Sequence, residues 1–230
     1  MARDEALLTL VGTSQSPPTV RLYQWNPPTI SLGYFQHYGD YVSLPPPAGT
    51  LPVVRRLTGG GAILHDLELT YSLTLPTGHQ LLAHGPGRLY ELAHDAVIEA
   101  LASMRLRASR CGTSDESGAA RGPFFCFQRR HGYDVLLGGD KIAGSAQRRT
   151  RHAVLQHGSI VLGNRYAQQP TAIVARPFDE SIRSVQSAMA EAFARITGIP
   201  CEPGVWSEDE RTAAAALRDK YAGPAWTQRA

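Results

Sequence analysis

Three stretches of the chain carry the residue types that chemistry needs. The first is Arg55-Arg56-Leu57-Thr58-Gly59-Gly60-Gly61-Ala62-Ile63-Leu64-His65-Asp66. Three consecutive glycines cost backbone entropy, which a chain accepts where main chain must approach a ligand closely or take a positive φ. N–H groups exposed there can cradle a phosphate, a carboxylate or the oxygen of a thioester. The plainer reading is a hairpin turn flanked by a solvated pair of arginines. No Gly-Lys-Ser/Thr follows, and the spacing is not that of a dinucleotide fingerprint. The second stretch runs from Gly138 to Gln147. Lys141 opens a strand that leads into Gly144, Ser145 and Ala146, whose small side chains leave room for a ligand against the backbone. An ammonium beside that room can polarise a carbonyl or hold an anion, although a hairpin lysine more often points to solvent. The third is Cys126, between Phe125 and Phe127. A cysteine among aromatics is usually a small buried hydrophobe. Here a Gly- and Ser-rich stretch precedes it, and Arg129, Arg130 and Lys141 supply positive charge that favours a thiolate.

Weaker candidates accompany these. His157 lies within the apolar run Leu155-Gln156-His157-Gly158-Ser159, with no carboxylate nearby in sequence to orient it. Gly33-Tyr34-Phe35-Gln36 offers aromatics that can wall an apolar slot. Cys111 and Cys201 lack such surroundings and read as structural or incidental.

The elements that must position these residues follow from hydrophobic periodicity. Strands are expected over Val20–Trp25, Thr29–Tyr34, Val53–Leu57, Leu69–Thr74, Tyr133–Leu137, Lys141–Ala143 and Val154–Leu162, with Gly138-Gly139-Asp140 as a tight hairpin. Leu89, Leu92, Ala93, Ala96, Val97, Ala100, Leu101 and Met104 form one helical stripe. Ile182, Val185, Met189, Phe193 and Ile196 form another, stopped by Gly198 and Pro200. A short Ala-rich helix is expected over Arg211–Leu217, and the Gly/Ser-rich stretch from Cys111 to Gly122 reads as a loop. Runs of strands interrupted by separate helices define an α+β fold rather than regular βαβ units. With no repeat and no linker, residues 1–230 read as a single domain.

Composition narrows the function classes. The 230 residues are 43% apolar and 19% charged, which is globular rather than disordered or fibrous. No apolar run approaches a membrane span, and acids at Asp4 and Glu5 come too early for a signal peptide. Three widely spaced cysteines make neither a disulfide framework nor a zinc ribbon, so reduced thiols, a cytoplasmic location and no metal site are expected. A net charge of +3 favours acidic partners without indicating nucleic acid.

The motifs together resemble the lipoate-protein ligases and octanoyltransferases. The stretch from Arg55 to Asp66 is similar to that family's Arg-Arg-x-Thr-Gly-Gly-Gly-x-x-x-His-Asp signature. Lys141 to Arg148 resembles its Lys-[Ile/Val]-x-Gly-Ser-Ala-Gln segment, and Leu155 to Ile160 resembles its third block. Arg21–Pro27 with Gly33–Gln36, and the ending Lys220-Tyr221 with Trp226, fit as well. Cys126 to Asp134 resembles the Cys-Phe-x-x-Pro-x-x-Tyr-Glu segment of the cysteine-dependent octanoyltransferases of the ligase-like type, with the Pro missing and Asp134 in place of Glu. Leu67 to Ser72 also has the transferase form. The resemblance implies a biotin/lipoate ligase-like domain with a mixed, largely antiparallel sheet flanked by helices, and no counterpart of the family's opening strand. It implies transfer of an octanoyl group from octanoyl-acyl carrier protein, without cofactor. The acceptor would be a lysine of a lipoyl domain or of the glycine cleavage H protein. A ligase using ATP and Mg²⁺ is the alternative. Cys126 would be the nucleophile and Lys141 the holder of the carbonyl. Arg56, Gly59, Gly60, Gly61, His65, Gly144, Ser145, Ala146 and His157 would line the substrate site, and Arg55, Arg56, Arg148 and Arg149 would steer acidic partners.

Overall fold

The computed structural model describes residues 1–112 and 122–229. In chain order the elements are α1 (Ala2–Gly12), β1 (Thr19–Tyr23), β2 (Thr29–Leu32), α2 (Tyr38–Val42), β3 (Val53–Arg55), β4 (Ile63–His65), β5 (Glu68–Pro76), α3 (Pro86–Ser103) and β6 (Ala108–Arg110). They continue as β7 (Val135–Leu137), β8 (Asp140–Arg149), β9 (Ala153–Val161), α4 (Phe178–Thr197), α5 (Glu208–Ala216), α6 (Arg218–Ala222) and α7 (Pro224–Thr227). The expected strands and helices all form. The loop expected from Cys111 to Gly122 falls, apart from its ends, outside the described residues.

Among the described residues the strands make two sheets, one of six strands in the order β1-β5-β9-β8-β7-β6 and one of three in the order β3-β2-β4. The larger is antiparallel throughout, and only β2 and β3 run parallel. This is the α+β arrangement anticipated from the sequence. Helices α3 and α4 pack on one face, where Leu89, Ala93, Ala96 and Val97 of α3 and Val185, Met189 and Phe193 of α4 meet Leu69, Tyr71, Ile142 and Ile160 of the sheet, while Leu8 of α1 meets Leu155 on the other. Burial of such stripes is worth roughly 25 cal/mol per Å² and is the main force holding helices to sheet. No described helix is long and apolar enough to cross a membrane.

Three glycines illustrate how turn and cap chemistry fixes the ends of elements. Gly138 and Gly139 take φ of 62° and 90°, the double left-handed conformation that closes the β7–β8 hairpin. Gly198 ends α4 at φ 69°. At the other end, α5 begins with a reciprocal cap in which Glu210 N donates to Ser207 Oγ and Ser207 N donates to Glu210 Oε2. The chain end then closes over α1 and β3. Lys220 Nζ and Tyr221 OH reach Glu5 at 2.7 and 2.8 Å, and Trp226 Nε1 donates to Arg55 O at 2.9 Å.

One buried histidine ties α3 to the active half of the sheet. His94 Nδ1 bonds the Tyr133 carbonyl, and Ser145 Oγ lies 2.8 Å from His94 Nε2. Burial opposes the charged ring and, outweighing the Tyr133 carbonyl, lowers its pKa from 6.5 to about 4. The unfolded chain therefore binds more protons than the folded one across that interval. Stability should fall as the pH drops below about 6.5, by roughly 3 kcal/mol in all once it passes about 4. Urea titrations check this: between about pH 7 and pH 5 the wild type should lose roughly 2 kcal/mol more than His94→Gln. Equal losses in the two proteins would remove the assignment.

Candidate active site

The glycine stretch does not form a hairpin. β3 and β4 lie on opposite sides of β2, so residues 56–62 cross the end of that strand. Two arginines hold the crossing. Arg55 Nη1 donates to the carbonyls of Gly33, Tyr34 and Gln36, and its Nε and Nη2 donate to Thr227 O. Arg56 donates to Ser31, Gly59 and Gly61 carbonyls at 2.7–2.8 Å. The expectation that these two arginines face solvent and steer acidic partners is overturned, since Arg55 is 0% and Arg56 3% exposed. Main-chain carbonyls crowded at the strand end need donors, and a guanidinium supplies five in one plane. Of the four arginines assigned to steering, Arg148 is half-buried over the Tyr34 ring and Arg149 is exposed.

The same crossing carries the cysteine. Ala62 N donates to Phe124 O at 2.8 Å and Cys126 N donates to Ala62 O at 2.7 Å, a short parallel bridge. A Cβ on Gly61 would stand 2.9 Å from Cys126 N and 3.1 Å from its Cα, so only glycine lets the two segments meet. Gln36 adds a third strap, accepting from Gly33 N and donating to Phe124 O. Cys126 is half-buried and opens a 3₁₀ turn, Cys126–Gln128. Ile63, Phe127 and Val161 form an apolar patch against it.

Lys141 comes to the cysteine from β8. Its Nζ lies 3.7 Å from Cys126 Sγ, 3.3 Å from Cys126 O and 3.4 Å from Arg129 O. The solvent-facing alternative is excluded, because Lys141 is only 5% exposed. Asp134, buried to the same degree, pairs with Nζ at 2.7 Å. Gly144 makes this fold-back possible: a Cβ there would stand 2.7 Å from Lys141 Cε and 3.0 Å from both Nζ and Asp134 Oδ1. An ammonium beside a thiol favours the thiolate, and its N–H groups can turn to an oxygen bearing developing charge.

The remaining candidates are distributed around this centre. Gly59 is half-buried and Gly60, at φ 91°, is exposed on the loop. Ser145 is engaged with His94 and with Gln156 Nε2 at 3.2 Å, and Ala146 pairs with His157 across β8 and β9. His65 and His157 have both ring nitrogens taken by protein groups, Ser31 and Glu68 for the one, Thr58 and Asp4 for the other. The carboxylate that sequence proximity did not supply to His157 comes from α1. Asp134 was marked only as the acid in place of the family's Glu, and Asp4, Glu68 and Ser31 were given no role from sequence. A cavity of about 960 Å³ opens elsewhere, lined by Arg3, Arg21, Trp25, Trp206, Arg211 and Arg218 among others, and contains neither Cys126 nor Lys141. Chemistry is assigned to the cysteine and lysine because a thiol, an ammonium and an apolar patch converge there.

Fold and site together define an α+β domain built around a thiol and a buried ammonium, fitted to handle a carbonyl. The model of the lipoyl protein ligase A/B catalytic domain matches residues 1–192, and the chain belongs to that family. Octanoyltransferase LipM of Kyrpidia tusciae is 34% identical, with 100% of this chain and 93% of that protein covered. Octanoyltransferase LipM of Moorella thermoacetica is also 34% identical with the same coverage. Among solved structures, lipoate-protein ligase A bound with ATP superposes with a TM-score of 0.76 at 23% identity, over 99% of this chain and 92% of that one. A bipartite lipoate protein ligase of Thermoplasma acidophilum, described with its E2 lipoyl domain, gives 0.72 at 23% identity over 99% and 89%. At these identities the structures bear out the fold.

Gly144→Ala tests the fold-back of Lys141. The flexible lysine end, not the sheet, should yield, at a cost of roughly 1–3 kcal/mol that leaves the chain folded. Alkylation of Cys126 by iodoacetamide, followed peptide by peptide in a mass spectrometer, should slow roughly tenfold at neutral pH. An unchanged rate would mean that the lysine does not act on the thiol.

Proposed function

We propose that this chain transfers an octanoyl group from octanoyl-acyl carrier protein, through a thioester on Cys126, to the ε-amine of a lysine on a lipoyl domain or on the glycine cleavage H protein. The observation that carries the reading is the 3.7 Å approach of Lys141 Nζ to Cys126 Sγ beside an apolar patch. The similarity to octanoyltransferases over the whole chain supports it.

In the first step the Cys126 thiolate attacks the thioester carbonyl. A C–S bond to Cys126 forms, the bond to the carrier's sulfur breaks, and that sulfur leaves as a thiol after taking a proton. In the second step the neutral amine of the acceptor lysine attacks the new thioester. An amide forms, a proton is lost from nitrogen and Cys126 is released. A thioester is reactive enough for both steps without nucleotide activation. Lys141 has three N–H groups, and Asp134 holds one of them. The others, now on Cys126 and Arg129 oxygens and near Sγ, can turn to the carbonyl oxygen as its charge develops. An octanoyl chain laid on Ile63, Phe127 and Val161 gains about 0.8 kcal/mol per buried methylene.

Incubation with octanoyl-carrier and a lipoyl domain, with and without ATP, tests the reading by intact mass. Wild-type chain should show an octanoyl adduct and should modify the acceptor equally well without ATP. Cys126→Ser should lose both, with transfer down on the order of a thousandfold or more. Transfer retained in that variant, or strictly dependent on ATP with free lipoate, would replace the transferase by the ligase.

Lys141→Ala would strand Asp134 as an unpaired buried carboxylate, which costs about 3–5 kcal/mol. The double variant Lys141→Met/Asp134→Asn removes both charges together. It should stay folded by circular dichroism while acylation of Cys126 falls roughly a hundredfold. Acylation at the wild-type rate would take the ammonium out of the reaction.

A further inference from the structure

Arg56 shows an unusual completeness of bonding. A guanidinium has five N–H donors and accepts nothing. Nε lies 3.1 Å from Thr58 Oγ1, and Nη1 lies 2.8 Å from Ser31 O and 3.3 Å from Ser31 Oγ. Nη2 takes Gly59 O and Gly61 O at 2.8 and 2.7 Å. Among the described residues its partners are hydroxyls and carbonyls, not a carboxylate. A charge buried to 3% exposure without a carboxylate beside it is costly: burial lowers its pKa to about 10 against the pull of Cys126, and further compensation has to come through its hydrogen-bond partners.

The two hydroxyls lead to it. Ser31 Oγ lies 2.7 Å from His65 Nε2, and His65 Nδ1 lies 2.7 Å from Glu68 Oε1. Thr58 Oγ1 lies 2.6 Å from His157 Nε2, and His157 Nδ1 lies 3.4 Å from Asp4 Oδ2. All of these residues are buried, Ser31 and Glu68 completely. The direction of each chain follows from Arg56. The guanidinium donates to each hydroxyl, and among the described residues the only acceptor within reach of either buried O–H is Nε2, so each hydroxyl gives its own proton to the ring. Each imidazole is then neutral, carries its proton on Nδ1 and donates it to the carboxylate. Ser31 in this setting is no nucleophile, since its oxygen is fully buried and accepts from Arg56.

We infer that Ser31–His65–Glu68 and Thr58–His157–Asp4 are two relays that link the buried charge of Arg56 to two buried carboxylates, and that His65 and His157 are thereby positioning residues for Cys126. They fix the guanidinium, the guanidinium fixes the carbonyls of Gly59 and Gly61, and Gly61 lies against the main chain of Cys126. The surroundings of the two rings differ. His65 stacks on Trp25 at 4.2 Å and faces Glu68. His157 faces Asp4, Arg56 and the amino group of Met1, and burial, against the pull of Asp4, lowers its pKa. Asp4 is shared with Arg21 and Tyr23, and Glu68 with Thr70.

The inference rests on the acyl-transfer reading only for its kinetic test. In wild-type chain labelled with ¹⁵N-histidine, His65 and His157, assigned from His65→Gln and His157→Gln, should both appear as neutral Nδ1–H tautomers at neutral pH. An Nε2–H tautomer or an imidazolium at either ring overturns the relays, whatever the variants do. In octanoyl transfer, Ser31→Ala and Thr58→Val should each lower kcat roughly tenfold while KM for the acyl donor stays within about twofold, and Thr58→Ser should restore kcat. Wild-type kcat in either folded variant, or a raised KM at constant kcat, overturns the positioning role. If wild-type chain transfers no octanoyl group, the functional reading fails, and the tautomers still decide whether the relays exist.

Discussion

The site depends on one short contact between main chains, the bridge joining Ala62 to the Phe124–Cys126 segment by two hydrogen bonds of 2.7 and 2.8 Å. Cys126 lies on a connection rather than on a long strand or helix, and an isolated 3₁₀ turn has little stiffness of its own. The bridge transfers to it the rigidity of the three-stranded sheet. That sheet is itself finished on its β4 edge by a buried amide: Gln169 Oε1 accepts from Leu64 N and Gln169 Nε2 donates to Leu64 O, each at 2.8 Å. Edge groups that would otherwise be open to pairing are thereby satisfied. The triple glycine fits this constraint better than it fits a cradle for a free phosphate. Gly61 is needed because the cysteine backbone occupies the place of its side chain.

How much of this was legible in the sequence depends on the range over which each cause acts. Turn chemistry acts within a few residues, so Gly138-Gly139 gave away its hairpin and Gly198 the end of α4. The stripes of α3 and α4 were readable because each buries one face. α1 shows no such stripe: Asp4, Ala6, Leu7, Leu8, Leu10 and Val11 are all buried, so periodicity does not mark it. β4, three residues long, is too short for alternation to register. The arginines were misplaced for a different reason. Arginine belongs on the surface by default, and the carbonyls that draw Arg55 and Arg56 inward converge only in the folded chain, some from Thr227 and Arg229. Cys126 and Lys141 were identified from their neighbours in sequence. The carboxylate partner of His157 was not, because Asp4 stands 153 residues from it and nothing local announces it.

Resemblance and residue chemistry contributed different things. The ordered motifs pointed to a family, and the family match then covered residues 1–192. Motifs alone could not say whether the lysine reaches the cysteine, since sequence separation of β8 from the cysteine segment carries no distance. Geometry supplied that link, and it also reassigned side chains within the motifs. Of the Arg-Arg pair, one member secures the chain end and the other the glycine loop, and neither is free to greet a partner.

The Lys141–Asp134 pair is costly as a stabilising device, for two apolar residues of similar size would often serve folding as well or better. Its value lies in charge. A carboxylate at 2.7 Å gives the lysine a counter-charge inside the fold, while leaving N–H groups over for the cysteine side. The geometry also accounts for the shorter acid. Gly144 has given up its side chain to admit both Lys141 Cε and Asp134 Oδ1, each within 3.0 Å of where a Cβ would stand. A carboxylate one methylene longer would have to be accommodated in that same space, so aspartate at 134 and glycine at 144 satisfy a single steric condition, set by the need to keep a charged lysine beside the thiol.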